Sequence, residues 1–221
     1  MNTPEEHVPP TRKGAATRQR IIEGAAREIR AEGVFALRLE DVMARTATSK
    51  SQLFHYFPGG KDELLLAVAR FEAARILDDQ QPELGALTTR EAWWQWRDKV
   101  LARYRAQGVG CPLHVALSQL GTATGAGRTV AAELLGQWQR RLAAGVRHLQ
   151  AGGVAAAGLD AEREAAALLA GIQGGVLILM TTGSIDHLEA ALDSGLARLG
   201  LTSRPGADGE LTAGRARAPR G

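Results

Sequence analysis

Residues 39–65 read LEDVMARTATSKSQLFHYFPGGKDELL, and this stretch decides the fold. Leu39–Thr46 is predicted to form a short helix, because its first turn carries two carboxylates that the positive end of a helix dipole favours. A break is expected at residues 47–48, and a second helix follows at once over residues 49–57. Two short helices joined by so tight a turn form a candidate helix-turn-helix.

The second of these helices has a clear start and an unusual outer face. Ser49 and Gln52 have the S-x-x-Q spacing of a capping box, in which each side chain satisfies a backbone amide of the first turn. Only Leu53 and Phe57 need to face inward, so the remaining side chains point outward: Lys50, Ser51, Gln52, Phe54, His55 and Tyr56. Side chains of these kinds contact phosphates, adenine edges and thymine methyls in the major groove. The alternative is a plain surface helix whose aromatic rings fill a core.

The rest of the chain predicts more helices and no sheet. A first helix is expected to begin with Thr17 as its N-cap and to end at Gly33. Residues 1–16 and 202–221 show no apolar periodicity and are expected to be disordered tails. No run alternates apolar and polar residues for long enough to form a strand in a sheet, so the predicted fold class is all-α.

The stretch quoted above resembles the DNA-binding domain of the TetR family of transcriptional regulators. TRQRIIEGAA, residues 17–26, looks like the first helix of that family, and the resemblance extends over residues 17–75. Its most specific parts are FHYF at 54–57 and KDEL at 61–64. Gly59-Gly60 and the later GCPL, residues 110–113, are similar to the LmrA/YxaF-like branch.

The resemblance implies a function and a domain layout. It implies a homodimeric repressor that binds a palindromic operator in double-stranded DNA and is released by a small-molecule inducer. A DNA-binding domain is expected over residues 17–62, and a helical ligand-binding and dimerisation domain over residues 63–201. The signal-free N-terminus suggests a cytoplasmic protein.

Site residues are carried over position by position. The expected DNA-binding residues are Thr17, Arg38, Ser49, Lys50, Ser51, Gln52, Phe54, His55, Tyr56 and Lys61. Two departures from the family pattern stand out. Leu37 and Arg38 replace the hydroxyl cap before the second helix, and Arg38 is a candidate phosphate contact instead. Ala47 replaces the turn glycine, and a positive φ at that position would cost about 1 kcal/mol.

Residues beyond 80 must supply sensing and dimerisation. Helices are expected over residues 91–107, 112–120, 127–150, 165–185 and 185–199. In a TetR-like body these helices enclose a cavity, which makes candidate ligand contacts of Trp93, Trp96, Tyr104, Cys111, His114, Trp138 and Gln173. The alternative is that the aromatic stripe is plain core packing.

Cys111 is the single cysteine, so the chain has no internal disulfide. Its Gly-Cys-Pro context at a helix start would favour a reactive thiolate, which suggests a redox or electrophile sensor. A small buried hydrophobic residue is the alternative.

The uncharged stretch 165–185 has two interpretations. Its length and its G-x-x-x-G pair suggest a membrane helix, but its many small and polar residues give it a low apolar content for a span. A helix buried between the body and a partner subunit is preferred, with the next helix completing a four-helix interface. The expected interface residues are Gly171, Gly175, Leu188, Leu192 and Leu196.

Catalytic and metal-binding functions find no support. The five histidines are scattered without the spacing that aims two ligands at one ion, and no serine or cysteine lies in a nucleophile motif. A net charge of +3 is modest, with the excess at the two ends of the chain. No cofactor, no metal and no enzymatic activity are expected, although a catalytic helical domain stays the remaining alternative.

Overall fold

Eight α-helices make up the regular structure of residues 12–107 and 125–204, the part of the chain that the computed structural model describes. They are α1 Arg12–Glu32, α2 Leu39–Thr46, α3 Lys50–Tyr56, α4 Gly60–Asp78, α5 Arg90–Gln107, α6 Gly125–Ala151, α7 Ala161–Thr182 and α8 Asp186–Arg198, with a 3-10 turn at Glu83–Gly85. These described residues contain no strand, and the all-α prediction is confirmed.

The described residues divide into two compact units. The first comprises residues 12–73 and 125–131, and the second comprises residues 74–107 and 132–204. The sequence-based domain limits, with a boundary at residue 62, stay predictions.

In the first unit, α1 packs against α2. The inward face of α1 is formed by Ile22, Ala25, Ala26 and Ile29, which follow helical spacing and are all buried. The predicted start of α1 is wrong, because the helix begins at Arg12 and the Thr17 hydroxyl donates to the carbonyl of Lys13 within it. Arg12, Lys13, Ala15 and Ala16 are good helix formers, and they extend the helix to the N-terminal side of Thr17 despite the glycine at position 14. Gly33, with φ at 86°, ends α1 as predicted.

In the second unit, α5 and α6 contribute the large apolar side chains. The α5 stripe Trp93, Trp96, Val100 and Tyr104 is buried, and so is the α6 stripe Leu134, Trp138, Leu142, Val146 and Leu149. Both stripes follow the predicted helical spacing. These two helices therefore form much of the core of this unit.

Helix α7 packs against α8 within the same chain. A Cβ added at Gly175 would lie 2.5 Å from Leu188 Cα, and one added at Gly171 would lie 3.3 Å from Ala191 Cβ. Leu188, Leu192 and Leu196 are fully buried. Residues predicted for the dimer interface thus contribute to the packing of α7 against α8 within one chain, and their role between subunits stays a prediction. Glycine spacing marks close helix packing but does not say which chain supplies the second helix.

Helix α7 is, among the described helices, the one long and apolar enough to cross a membrane by length and composition. The core helix of a soluble protein passes the same test. Its first turn carries Glu162 and Glu164, and Glu164 pairs with Arg198 of α8 at 2.7 Å. The buried residues of α7 recur at helical spacing, as expected for one face of a packed helix.

Candidate nucleic-acid interface

The turn between α2 and α3 contains the one positive-φ non-glycine residue in the described chain. Ala47 has φ 47° and ψ 48°, in the left-handed region where a Cβ is unfavourable. The amide of the next residue, Thr48, donates to the Met43 carbonyl at 3.0 Å and closes the end of α2. The positive φ considered for Ala47 is thus present, and the turn keeps its geometry without glycine.

Two buried threonines reinforce this turn, and the sequence analysis missed both. The Thr46 hydroxyl donates to the Val42 carbonyl at 2.7 Å, and the Thr48 hydroxyl donates to the Thr46 carbonyl at 3.2 Å. The two hydroxyl oxygens lie 2.9 Å apart. Buried hydroxyls need such partners, so the pair stabilises the turn that sets α3 against α2.

Helix α3 begins with the predicted capping box. The backbone amide of Gln52 donates to Ser49 Oγ at 3.2 Å, and the backbone amide of Ser49 donates to the side-chain Oε1 of Gln52 at 3.1 Å. A side-chain amide needs both its oxygen and its nitrogen to read adenine. Because the side-chain oxygen of Gln52 accepts a hydrogen bond in the cap, this geometry does not favour pairing of Gln52 with an adenine edge through both its oxygen and its nitrogen.

Helix α3 is anchored on one side and open on the other. Leu53 and Phe57 are fully buried, as predicted, and the Arg18 guanidinium lies 5.0 Å from the centre of the Phe57 ring. The side chains that remain exposed on α3 are Lys50, Ser51, Gln52, Phe54 and His55. Tyr56 is half-buried, with its ring edge-on to His55 at a centroid distance of 4.9 Å. The exposed face of α3 thus offers a binding partner the cation of Lys50, the hydroxyl of Ser51 and the rings of Phe54 and His55.

Three other predicted contacts have defined environments. Lys61 Nζ donates to the Leu37 carbonyl at 2.7 Å, so it holds the loop before α2 and keeps two further donors. Arg38 is the exposed N-cap of α2 and makes no side-chain capping bond, as the absent hydroxyl predicted. Thr17 uses its hydroxyl inside α1.

The early start of α1 adds cations that the sequence analysis assigned to a tail. Arg12 and Lys13 are exposed in a first turn that contains no acidic residue, and Arg20 is exposed about two turns further along. Positive charge at a helix N-terminus is unfavourable for the helix itself. An anion near this end would offset that cost.

The predicted ligand residues of the second unit are mostly buried. Trp93 and Trp96 meet edge-to-face at 5.7 Å, and the Trp96 indole donates to Gln80 Oε1 at 3.0 Å. Three further N–H groups are shielded from solvent without a hydrogen-bond partner, namely Trp93 Nε1, Trp138 Nε1 and Gln173 Nε2. Cys111, His114 and the predicted helix 112–120 lie outside the described residues.

A cavity of about 330 Å³ lies elsewhere in this unit. Residues 81–88 and one face of α6 from Arg141 to His148 line it. None of the predicted ligand residues is among the lining residues. No sequence pattern predicts this cavity, because the connection between α4 and α5 lacks periodicity.

Arg97 of α5 is a buried charged residue that sequence reasoning did not identify. Its guanidinium is buried and bonds Asp193 at 2.7 Å, Glu189 at 2.8 Å and Asp98 at 3.0 Å. Burial alone would lower the Arg97 pKa, but the hydrogen bonds that its guanidinium donates to the three carboxylates outweigh burial and raise that pKa above its ordinary value. The arginine therefore stays charged and ties α5 to α8.

Metal binding finds no support in the structure either. No group of three or more His, Cys, Asp or Glu side chains is placed to hold a metal ion among residues 12–107 and 125–204.

Two family models match the chain. Residues 21–68 match the bacterial regulatory proteins of the tetR family, and residues 88–194 match the tetracyclin repressor-like C-terminal domain. Together the two matches cover more than half of the chain.

A curated relative and several solved structures are also similar. An uncharacterized HTH-type transcriptional regulator of Mycobacterium tuberculosis is 26% identical over 102 residues, which are 43% of this chain. The chain spans about half the length of that relative, 49%.

The solved structures resemble the chain over most of its length. A TetR transcriptional regulator from Chloroflexus aurantiacus has a TM-score of 0.70 at 20% identity, covering 85% of this chain and 96% of that one. A putative regulator from Saccharomonospora viridis, solved in complex with choline, has a TM-score of 0.66 at 23% identity, with coverages of 83% and 96%. At these identities the likeness shows the shared fold.

Proposed function

The chain belongs to the TetR family of DNA-binding transcriptional regulators, and we propose on this premise that it is a cytoplasmic repressor that binds a palindromic operator as a homodimer. Members of this family are regulators rather than enzymes, so the expectation of no catalytic role is confirmed by membership. The closer resemblance to the LmrA/YxaF-like branch stays part of the proposal.

The observation that carries the proposal is the pairing of a buried and an exposed face on α3. Leu53 and Phe57 fix the helix in the first unit, while Lys50, Ser51 and His55 are exposed. A helix anchored in this way can enter the major groove and present its polar face to base edges. The proposed base contacts are Ser51 and His55, with Phe54 against a thymine methyl.

Phosphate contacts are proposed around this face. Arg38 and Lys50 are exposed and form no ion pair within the described residues, so neither must break a bond to meet a phosphate. Tyr56 and the two unused donors of Lys61 are further candidates. Arg12 and Lys13 at the start of α1 are further candidates, because an anion would offset the unfavourable placement of positive charge at a helix N-terminus.

The proposed dimer interface uses the outward faces of α7 and α8. On α7 the exposed stripe is Ala166, Ala170, Gly174, Leu177 and Thr181, and on α8 it is His187, Ala190, Ser194 and Ala197. Both stripes repeat every three or four residues, as in the seam of a helical bundle. Four such helices, two from each subunit, would form a two-fold symmetric interface.

Symmetry and sensing follow from this assembly. Two recognition helices entering successive major grooves must lie about 34–36 Å apart, so the operator is proposed to be palindromic. An inducer would release the DNA if it binds more tightly to a conformation of the dimer in which the two recognition helices have a different spacing. The unpartnered donors of Trp93, Trp138 and Gln173 favour an inducer with hydrogen-bond acceptors, since each unsatisfied buried donor costs about 1–3 kcal/mol.

The test of DNA binding is selection of bound sequences from a random DNA pool by the full chain. We expect a palindromic consensus with two half-sites about one helical turn apart. A pool that shows no enrichment after repeated rounds would refute the proposal. Enrichment of a single half-site would refute the dimeric form of it.

Two matched variants locate the interface on the selected operator. Lys50→Ala should weaken binding and reduce the slope of log K against log salt by about two phosphate contacts, one from each subunit of the dimer. Arg140→Ala removes the same charge from an exposed position of α6 in the second unit and should change neither quantity. Equal effects of both variants would mean that only general charge matters.

A further inference from the structure

The capping box at the start of α3 fixes the orientation of the Gln52 side-chain amide. The backbone amide of Ser49 can only donate, so the Gln52 atom that lies 3.1 Å from it is the acceptor Oε1. A flipped side-chain amide would set two donors face to face, and the hydrogen bond thus identifies both atoms. The return bond, from the backbone amide of Gln52 to Ser49 Oγ, closes the box at 3.2 Å. The nitrogen Nε2 is therefore the atom of the side-chain amide that the cap does not use.

This nitrogen carries two N–H groups that have no partner in the described part of the protein. Gln52 is exposed, and its Nε2 forms no hydrogen bond within residues 12–107 and 125–204. Helix α3 reads KSQLFHY and contains no carboxylate that could accept from Nε2. Because its oxygen faces the backbone of the N-cap, the side chain offers a pair of donors to a binding partner.

The position of Gln52 on α3 suits a contact with bases. In a helix-turn-helix, residues at the N-terminal end of the second helix meet base edges in the major groove. Gln52 is the third residue of α3, and Lys50 and Ser51 before it are exposed as well. The buried Leu53 beside it seats the helix in the first unit. Because the cap already holds the Gln52 side chain, little rotational freedom remains to be lost when that side chain binds.

The four bases differ in what they offer to such a pair of donors. Guanine presents two neighbouring acceptors, N7 and O6, in the major groove. Adenine sets an amino donor beside N7, cytosine presents an amino donor, and thymine has one acceptor beside a methyl group. A donor that faces another donor leaves both unsatisfied, which is unfavourable where water is excluded. Guanine is thus the base that satisfies both N–H groups of Nε2.

We propose that Gln52 is a specificity-determining residue that reads guanine, with the N–H groups of Nε2 donating to N7 and O6 while Oε1 stays in the cap. The inference rests on the proposed function, since it requires α3 to lie in the major groove of the operator. It departs from the usual pairing of glutamine with adenine, which uses the side-chain oxygen as well as the nitrogen. The hydrogen bond from the Ser49 amide thereby decides which base is chosen.

Selection from a random DNA pool by the wild type and by Gln52→Glu tests which base is read. A glutamate at this position still accepts from the Ser49 amide, as capping boxes allow, but it has no N–H group to donate. We expect one position of each half-site to change from guanine in the wild type to cytosine or to no preference in Gln52→Glu, since a carboxylate accepts from the cytosine amino group. Gln95→Glu, the same change at an exposed position of α5, should return the wild-type consensus.

The selection separates the role of Gln52 from the proposed function. If the wild type enriches no sequence, the proposed function is refuted, and the guanine contact with it. If the wild type enriches a palindrome and Gln52→Glu returns the same consensus, DNA binding stands and the role of Gln52 is overturned. Adenine or thymine at the position that changes would also overturn the guanine contact, because adenine pairs with both atoms of the side-chain amide and thymine with a single donor.

Modified operators test the guanine acceptors directly. With 7-deazaguanine at the assigned position of both half-sites, N7 is missing and base pairing is kept, so wild-type binding should weaken about threefold or more. Hypoxanthine keeps both N7 and O6, and its operator should bind within about twofold of the guanine operator. Gln52→Ala, which has no donor, should bind the 7-deazaguanine and guanine operators equally. A loss in Gln52→Ala as large as that in the wild type would assign N7 to another residue and contradict the proposal.

Thermal unfolding checks that Gln52→Glu keeps the cap. Its midpoint should equal or exceed that of the wild type, since a carboxylate is favoured in the first turn of a helix, whereas Gln52→Ala should unfold at a lower temperature. If the midpoint of Gln52→Glu were as low as that of Gln52→Ala, the side-chain oxygen at this position would not serve the cap. The reason for reading guanine would then be lost, and the proposal with it.

Discussion

Gly24 of α1 and Thr46 of α2 are in direct contact, and a Cβ built on Gly24 would lie 2.2 Å from Thr46 Cγ2. The Thr46 hydroxyl is buried and bonded to Val42, so the side chain has no free rotamer into which it can retreat. The absence of a side chain at Gly24 thus permits α2, the first helix of the helix-turn-helix, to approach α1.

Gly24→Ala should therefore destabilise the chain by about 1–3 kcal/mol, because overpacking outweighs the gain of about 0.5–1 kcal/mol that alanine brings to a helix. Thr46→Ser removes the clashing methyl and keeps the hydroxyl, so it should rescue Gly24→Ala in the double variant. The measurement is urea unfolding. Gly136→Ala, where the nearest atom is the flexible end of Arg140, is the control and should be neutral or stabilising. Stabilisation by Gly24→Ala alone would contradict the packing described.

Ala47 offers a substitution with the opposite sign. Because its φ is 47°, Ala47→Gly should stabilise the chain by about 1 kcal/mol. Ala44→Gly, at an exposed position of α2 in right-handed conformation, should instead cost about 0.5–1 kcal/mol. Chemical denaturation of the two variants measures the difference, and a loss of stability in both would mean that Ala47 does not hold a strained backbone.

Predictions from sequence succeeded where the determining contacts are local. The Ser49–Gln52 capping box joins two residues that are three positions apart. The left-handed backbone at Ala47 belongs to a turn whose geometry is set by a short segment of chain. The buried stripes of α5 and α6 follow from helical periodicity alone. These features need no knowledge of the rest of the chain.

Prediction from sequence reached its limit where the partner lies far away in sequence. Two of the three carboxylates that bond Arg97 belong to α8, 92 and 96 residues further along, so helical periodicity could not reveal this buried network. Gly175 was assigned to a partner subunit because its spacing marks a close helix contact, and spacing could not show that Leu188 of the same chain lies against it. The empty space beside Arg141 has no sequence pattern at all. Tertiary proximity, rather than local preference, decides each of these cases.

The Arg97 network should contribute more to stability than its exposed neighbours. Arg97→Met leaves Asp193 without its cation, whereas Asp98 and Glu189 keep Arg204 and Arg105. All three carboxylates are about 36–45% exposed and can rehydrate, so we expect a loss of about 1–3 kcal/mol rather than the larger cost of a fully buried pair. Arg105→Met is the control, because Arg105 is exposed and shares only Glu189, and it should cost less than about 1 kcal/mol.

The pH dependence of this difference has a definite sign. The Arg97 pKa is raised in the folded state, so its stabilisation is fully present below the ordinary pKa of arginine and is lost only as pH rises through the folded value. The gap in unfolding free energy between the wild type and Arg97→Met should therefore be constant from about pH 6 to about pH 9. Urea titrations at three pH values test this, and a gap that closes as pH approaches 9 would contradict a permanently charged Arg97.

Leu177 distinguishes the proposed dimer surface from the α7–α8 contact within the chain, whose residues the sequence had assigned to the dimer interface. It is 52% exposed in the isolated chain and belongs to the outward stripe of α7. Leu177→Glu places a carboxylate on each side of the two-fold axis, and it should raise the dimer dissociation constant at least tenfold while leaving the fold intact. Sedimentation equilibrium measures the constant, with Ala102→Glu at an exposed position of α5 as the matched control. Leu192→Ala should act in the reverse manner, since Leu192 is fully buried against the α7–α8 contact: about 2–5 kcal/mol of unfolding free energy is lost, with the dissociation constant of the folded protein unchanged. If Leu177→Glu remained as dimeric as the control, the subunits would have to meet through a different surface.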